Sequence, residues 1–299
     1  MIRPTLLMIP CFAGAPWQLN QLSALRDWPL RTLRLPDELN DLERLADLVL
    51  RELQGLQAFA LVGDSFGAVV ALAIAIRRPP GLKALVMSGG FAQSPITSPL
   101  LKLLARLAPL FAGPFYRGLT LRMHAFNLRS RFDAEGEIPW SAARTREFFV
   151  RETSHRAYVN RIRAVRHADY RQALGRVDVP TLILTPEDDR LIGKQAAQVL
   201  LQGIAGSSER VLPRTGHMFR FSHPGAYSAA VAEFLHTALE PGQRLDGRPA
   251  SSPLADVILP LRQQGWSAPG VSQAVLSVGG TRISARPAHR GRPLQTNTA

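Results

Sequence analysis

Cysteine, long apolar runs and clustered charge are all scarce in this chain, and each shortage removes a class of function. Cys11 is the single cysteine, so neither an intrachain disulfide nor a cysteine-based metal cluster can form. That usage suits a reducing compartment and predicts a cytoplasmic protein. The longest apolar run, Ala68 to Ile76, falls far short of the roughly 20 residues that cross a bilayer. Thr5 to Ile9 is likewise too brief for the apolar region of a secretion signal. There is no P-loop, no Gly-x-Gly-x-x-Gly after a strand and no His/Cys cluster, so neither a nucleotide cofactor nor a metal is expected.

Acidic residues are also in deficit: 36 Lys and Arg stand against 23 Asp and Glu, a net charge of +13. The bases are mostly arginine, spread singly. They concentrate between Phe91 and Arg171, with thirteen arginines and one lysine against six acids, and again after Glu240. A nucleic-acid surface calls for a contiguous basic block or an RNA-binding module, and neither is present. The excess then reflects either a coding bias toward arginine or attraction of anionic ligands. Arg156, Arg163 and Arg166 are spaced to share one helical face, which would draw an anionic substrate if it bordered a cleft.

What the chain does have is 299 residues at 46% hydrophobic content, enough for one large domain with a substantial core. Strands are predicted at Thr5 to Pro10, Leu30 to Leu35, Gln57 to Gly63 and Leu82 to Met87. Helices are predicted between them: Pro16 to Arg26, a Leu42-Leu45-Val49-Leu53 stripe behind an Asn40–Glu43 capping box, and Ala68 to Ile76. This alternation predicts an α/β fold with a mostly parallel, doubly wound sheet. From Phe91 to Arg176 strands give way to proline-punctuated helices, Leu100 to Leu107, Ala142 to Arg151 and Tyr158 to Val165. Strands return at Val179 to Thr185 and Glu209 to Leu212, with helices at Lys194 to Leu201 and Pro224 to Leu239. The domain is read as residues 1–240, with a helical lid inserted at about 91–176 over the carboxyl ends of the strands. Residues 241–299 are rich in proline and arginine and read as a disordered or loosely docked tail, with Leu254 to Leu261 as its one candidate helix.

The chemistry gathers at Ala58 to Val69. Leu61 and Val62 run into Gly63-Asp64-Ser65-Phe66-Gly67, a Gly-x-Ser-x-Gly turn, and the apolar helix follows at once. A turn this sharp lifts the serine hydroxyl above the sheet at a helix N-terminus, where developing negative charge is favoured. A chance match in a loop would lack the strand before and the apolar helix after. A serine hydroxyl needs a general base, and the base needs an orienting carboxylate. Pro186-Glu187-Asp188-Asp189 follows one late strand, and Thr215-Gly216-His217-Met218 follows the last.

These residues resemble the α/β-hydrolase superfamily over roughly Leu6 to Leu239, and within it small hydrolases whose first strand ends Leu-Leu-Pro-Gly. The resemblance implies the α/β-hydrolase fold with an inserted helical lid, and catalytic Ser65, Asp189 and His217. Asp189 is preferred to Asp188 because it is fourth in the family's Gly-x-x-Asp pattern, here with Pro186 in the glycine's place. The backbone N–H groups of Phe12 and Phe66 are the implied oxyanion hole. Cys11 stands where the family has glycine, a strained position for cysteine if its φ were positive. The implied function is a serine hydrolase that cleaves carboxylic esters through an acyl-enzyme on Ser65. Its partner would be a small-molecule acyl ester, an anionic one being favoured by the arginine-rich lid; no nucleic acid and no membrane span are expected. A thioesterase, lactonase, amidase or carbon–carbon bond hydrolase would carry the same residues. A non-catalytic binding protein that kept the fold is the reading from another class. Acyl and alcohol groups, and oligomeric state, are not legible.

Overall fold

The structure, a computed structural model, describes residues 3–239. Among them, strands β1 (Thr5–Ile9), β2 (Leu30–Thr32), β3 (Phe59–Asp64), β4 (Leu82–Ser88), β5 (Thr181–Asp188) and β6 (Ser207–Gly216) form one sheet. Their order is β2-β1-β3-β4-β5-β6, and every neighbouring pair is parallel. The central strands β1, β3, β4 and β5 are largely apolar on both faces because both faces are covered. Leu7, Ile9, Leu61, Met87 and Ile183 point into a core shared with helices α1 (Leu42–Glu52), α2 (Phe66–Ile76) and, later in the chain, α8 (Lys194–Gly203). Leu6, Met8, Val62, Val86 and Leu184 point the other way, against the 3-10 helix Leu19–Leu25 and the last helix α9 (Pro224–Leu239). All of α2 is buried, which is why its sequence is apolar all round rather than striped.

The chain leaves β1 outward to β2 and returns inward to β3, so the connections above β1 and β3 diverge and open a crevice. The longer regular elements between β4 and β5 are helical: α3 (Pro99–Leu107), α4 (Gly113–Phe115), a π-helical turn Tyr116–Thr120, α5 (Leu121–Leu128), α6 (Ala142–Glu152) and α7 (His155–Arg166). A separate apolar cluster joins it to the crevice, with Cys11, Ala13 and Ala15 against Leu121, Phe149, Tyr158 and Phe221.

Local differences from the sequence reading have local causes. The cap of α1 is Asp41 rather than Asn40; its Oδ1 accepts from the Arg44 N–H at 2.9 Å. The expected helix from Pro16 is a 3-10 helix that starts only at Leu19, because Trp17 N–H is held by Thr32 Oγ1 at 2.9 Å. The helical stretch from Gly113 to Leu128 was masked by Gly113-Pro114 and Gly118, yet Pro114 sits in a first turn where its missing N–H is not needed. The helix considered at Leu254 to Leu261 lies outside the described residues.

Candidate active site

Ser65 sits where β3 ends and α2 begins, with φ at 52°. A non-glycine residue there costs about 1–3 kcal/mol, which the surroundings must offset. Ser65 N–H donates to Ser88 O at 2.7 Å, and its own carbonyl accepts from Ala68 N–H at 3.0 Å. The turn also needs Gly67, where a Cβ would come within 2.3 Å of Ile9 O. The elbow is thus pinned to both neighbouring strands.

Three expected residues converge. Ser65 Oγ lies 2.9 Å from His217 Nε2, and His217 Nδ1 lies 2.7 Å from Asp189 Oδ2. The other carboxylate oxygen, Oδ1, accepts from the N–H groups of Leu191 and Ile192, both at 3.0 Å, which fixes its plane. Asp188 turns elsewhere, accepting from Ser130 Oγ at 2.7 Å and from Arg190 Nε at 3.2 Å. Burial opposes the imidazolium of His217, but the charge and hydrogen bond of Asp189 outweigh it and hold the pKa above the usual histidine value. Burial opposes the Asp189 carboxylate in turn; His217 and the two backbone N–H groups prevail and hold its pKa below the usual value.

The loop above β1 carries Phe12 to the same place. Gly14 N–H closes the turn on Cys11 O at 2.8 Å, and the positive φ, 74°, falls on Gly14. Cys11 is not among the positive-φ residues, so cysteine causes no strain there. Neither the Phe12 nor the Phe66 N–H donates to a protein acceptor among the described residues. Their rings meet edge to face with centroids 5.9 Å apart. Both expected donors therefore stand free on either side of the crevice.

Two buried arginines support this geometry and escaped the sequence reading. Arg161 of α7 reaches down to donate to Phe12 O at 2.8 Å and Leu35 O at 3.1 Å, with Asp37 Oδ1 at 3.4 Å. Arg220 donates to Asp64 Oδ2 at 2.6 Å, beside the serine, and to Gln21 Oε1; its Nη2 is 3.5 Å from Cys11 Sγ. Burial raises the Cys11 thiol pKa, so it remains a neutral packing group. A signal for each existed: Arg161 interrupts the buried stripe Ala157–Ala164 of α7, and Arg220 stands between Phe219 and Phe221.

A cavity of about 130 Å³ opens on Ser65 and His217, walled by Phe12, Phe91, Ile96, Phe149, Ile162 and Leu191. His124 is its one polar wall residue outside the elbow and its partners. Burial, then the charge of His217, lowers the His124 pKa to about 4, and its buried Nε2 has no partner among the described residues. Arg156 and Arg163 are exposed and Arg166 is half-buried; none of the three lines this cavity. Among the described residues no group of three or more His, Cys, Asp and Glu could hold a metal ion, and no helix is long and apolar enough to cross a membrane.

The profile of the alpha/beta hydrolase family matches residues 6–230. The chain belongs to the alpha/beta hydrolase family. Among its relatives, the putative carbamate hydrolase RutD of Klebsiella pneumoniae is 26% identical over 197 residues, 62% of this chain and 68% of that one. The 2-hydroxy-6-oxononadienedioate/2-hydroxy-6-oxononatrienedioate hydrolase of Cupriavidus pinatubonensis is 27% identical over 62% of this chain and 65% of that one. The pimeloyl-[acyl-carrier protein] methyl ester esterase of Neisseria meningitidis is 27% identical over 75% of this hydrolase and 74% of the esterase. In fold, it superimposes on a hydrolase from Pseudomonas aeruginosa with a TM-score of 0.64 at 23% identity, covering 78% of this chain and 90% of that one.

Proposed function

We propose that this hydrolase cleaves carboxylic esters through an acyl-enzyme on Ser65, with residues 91–176 acting as a lid. The observation that carries the reading is the unbroken hydrogen-bond chain from Ser65 Oγ through both nitrogens of His217 to Asp189. As Ser65 Oγ bonds to the ester carbonyl carbon, its proton passes to His217 Nε2, and Asp189 stabilises the imidazolium. The carbonyl oxygen, now an oxyanion, takes hydrogen bonds from the Phe12 and Phe66 N–H groups. Collapse breaks the carbon–oxygen bond to the alcohol, which leaves with the Nε2 proton. Water, deprotonated by His217, then attacks the acyl-enzyme, releasing the acid and restoring Ser65.

The apolar cavity wall favours an apolar acyl group, and a single free cysteine fits a cytoplasmic protein. The name of the meningococcal relative, a methyl ester esterase, supports an ester, while that of the Klebsiella relative makes a carbamate the competing substrate. The test is turnover of p-nitrophenyl esters of increasing acyl length beside a p-nitrophenyl carbamate of equal size. The reading predicts that kcat/KM rises with acyl length until the cavity is filled, and that the ester exceeds the carbamate. A preference for the carbamate would overturn the choice of ester.

A further inference from the structure

Helix α3 does not follow the pattern of the other long helices. Leu100, Leu103, Leu104 and Leu107 recur at helical spacing, while Lys102 and Arg106 stand four apart at the polar edge of that stripe. A stripe of this kind normally faces a core, yet α3 buries no residue. Leu100 is 65% exposed and Leu103 51%. Exposure continues at Leu110 (75%) and Phe115 (65%), and again at Leu119, Met123 and Phe126. So many large apolar side chains left bare in one stretch mark an interaction surface.

Charge decides what the surface fits. From Phe91 to Phe132 the chain has six bases, Lys102, Arg106, Arg117, Arg122, Arg129 and Arg131, and no acid. All six are exposed, and none forms an ion pair among the described residues. Some exposed arginines elsewhere do find carboxylates, as Arg78 does with Asp178 and Arg171 with Asp169, but this stretch has no acid of its own to offer. A second copy of the chain would set these six cations against their own like. The residues after Leu239, with seven arginines against three acids, carry the same sign. An apolar face framed by unpaired cations complements an anionic amphiphilic surface.

We propose that the outer face of α3 to α5 docks on an anionic phospholipid bilayer. The leucines and Phe115 enter the boundary between headgroups and acyl chains, and the six cations meet lipid phosphates. A groove of about 540 Å³ runs between α3 and α5, walled by Leu101, Leu104, Phe111, Met123 and Phe126. It shares Ile96, His124, Ile162 and Leu191 with the cavity at Ser65, so the docked face opens toward the nucleophile. Docking is a binding property and stands whichever acyl bond the site cleaves.

The test sediments the full chain with vesicles of phosphatidylcholine alone and with vesicles of equal parts phosphatidylcholine and phosphatidylglycerol. The protein is expected to sediment with the anionic vesicles, far less with the neutral ones, and to be released as salt rises. Leu103→Glu/Leu110→Glu should weaken binding by about tenfold or more. Arg106→Gln/Arg122→Gln should weaken it about fivefold for each cation removed. All four positions are exposed, so melting temperatures should match the wild type; if the leucine pair melts lower, the arginine pair carries the test. Equal binding to both vesicle types, or to neither, overturns the proposal. So does wild-type binding by both variants, which would place the contact elsewhere in the chain. Concentration-dependent self-association without vesicle binding, lost in the leucine pair, would assign the face to a second copy instead.

Discussion

Asp188 and Asp189 are neighbours in sequence with opposite surroundings. Asp189 lies against His217 with a side chain 4% exposed, while Asp188 turns out to Ser130 and Arg190. Asp189→Asn should lower kcat by about 10⁴, because the amide leaves His217 in the wrong tautomer. Asp188→Asn should stay within a few-fold of the wild type, and the reverse ranking would put the carboxylate role on the wrong residue. The pH profile carries a second signature. Because Asp189 holds the His217 pKa above its usual value, the limb of kcat/KM on which the base becomes neutral lies above about 6.5. Asp189→Asn should move that limb downward. For stability the sign is opposite. The raised His217 pKa stabilises the fold at low pH and loses that contribution as pH rises through the folded value. Asp189, held low, contributes above the unfolded carboxylate value and loses its contribution as pH falls through the folded one. Ser65, Asp189 and His217 were legible because each follows a strand end, a local signal. Arg220 and Arg161 were not, since their partners lie far along the chain: Asp64 is 156 residues from Arg220, and Phe12 is 149 from Arg161.

At the scale of elements, α7 is tied to the loop that offers Phe12. Arg161 crosses from the helix to the carbonyls of Phe12 and Leu35, and a Cβ on Gly14 would lie only 2.3 Å from its Nη2. Arg161→Met would strip these carbonyls of their donor, at roughly 1–3 kcal/mol for each left unpaired. Melting temperature should fall accordingly. In the proposed mechanism the Phe12 N–H bonds most strongly to the oxyanion, so kcat should fall more than KM rises. A change confined to KM would detach Arg161 from the oxyanion side of the site. The central strands read well from sequence because β1, β3, β4 and β5 are short runs buried on both faces. The insertion read less well: proline and glycine at Pro109, Gly113 and Pro114 look like breakers until their place in a first turn is seen.

On the scale of the whole molecule, the six-stranded sheet and the Ser65–His217–Asp189 chain all lie within residues 3–239. A chain ended after Leu239 should therefore fold, melt within a few degrees of the full chain and hydrolyse p-nitrophenyl esters at its rate. Insolubility or a large drop in melting temperature would show that the remaining residues support the core. The alternation of apolar strands and helices made the parallel sheet legible from the chain alone. Charge was legible in total and in where along the chain it concentrates, but not in depth: the sequence could not say that Arg161 and Arg220 are buried while Arg156 and Arg163 face solvent. The most direct test of the central claim is the intact mass of the protein after exposure to a fluorophosphonate. The account predicts one adduct per chain, mapped by peptide mass to Ser65 and absent from Ser65→Ala and from protein labelled below the pKa of His217. An unmodified wild type, or an adduct that persists in Ser65→Ala, would contradict it.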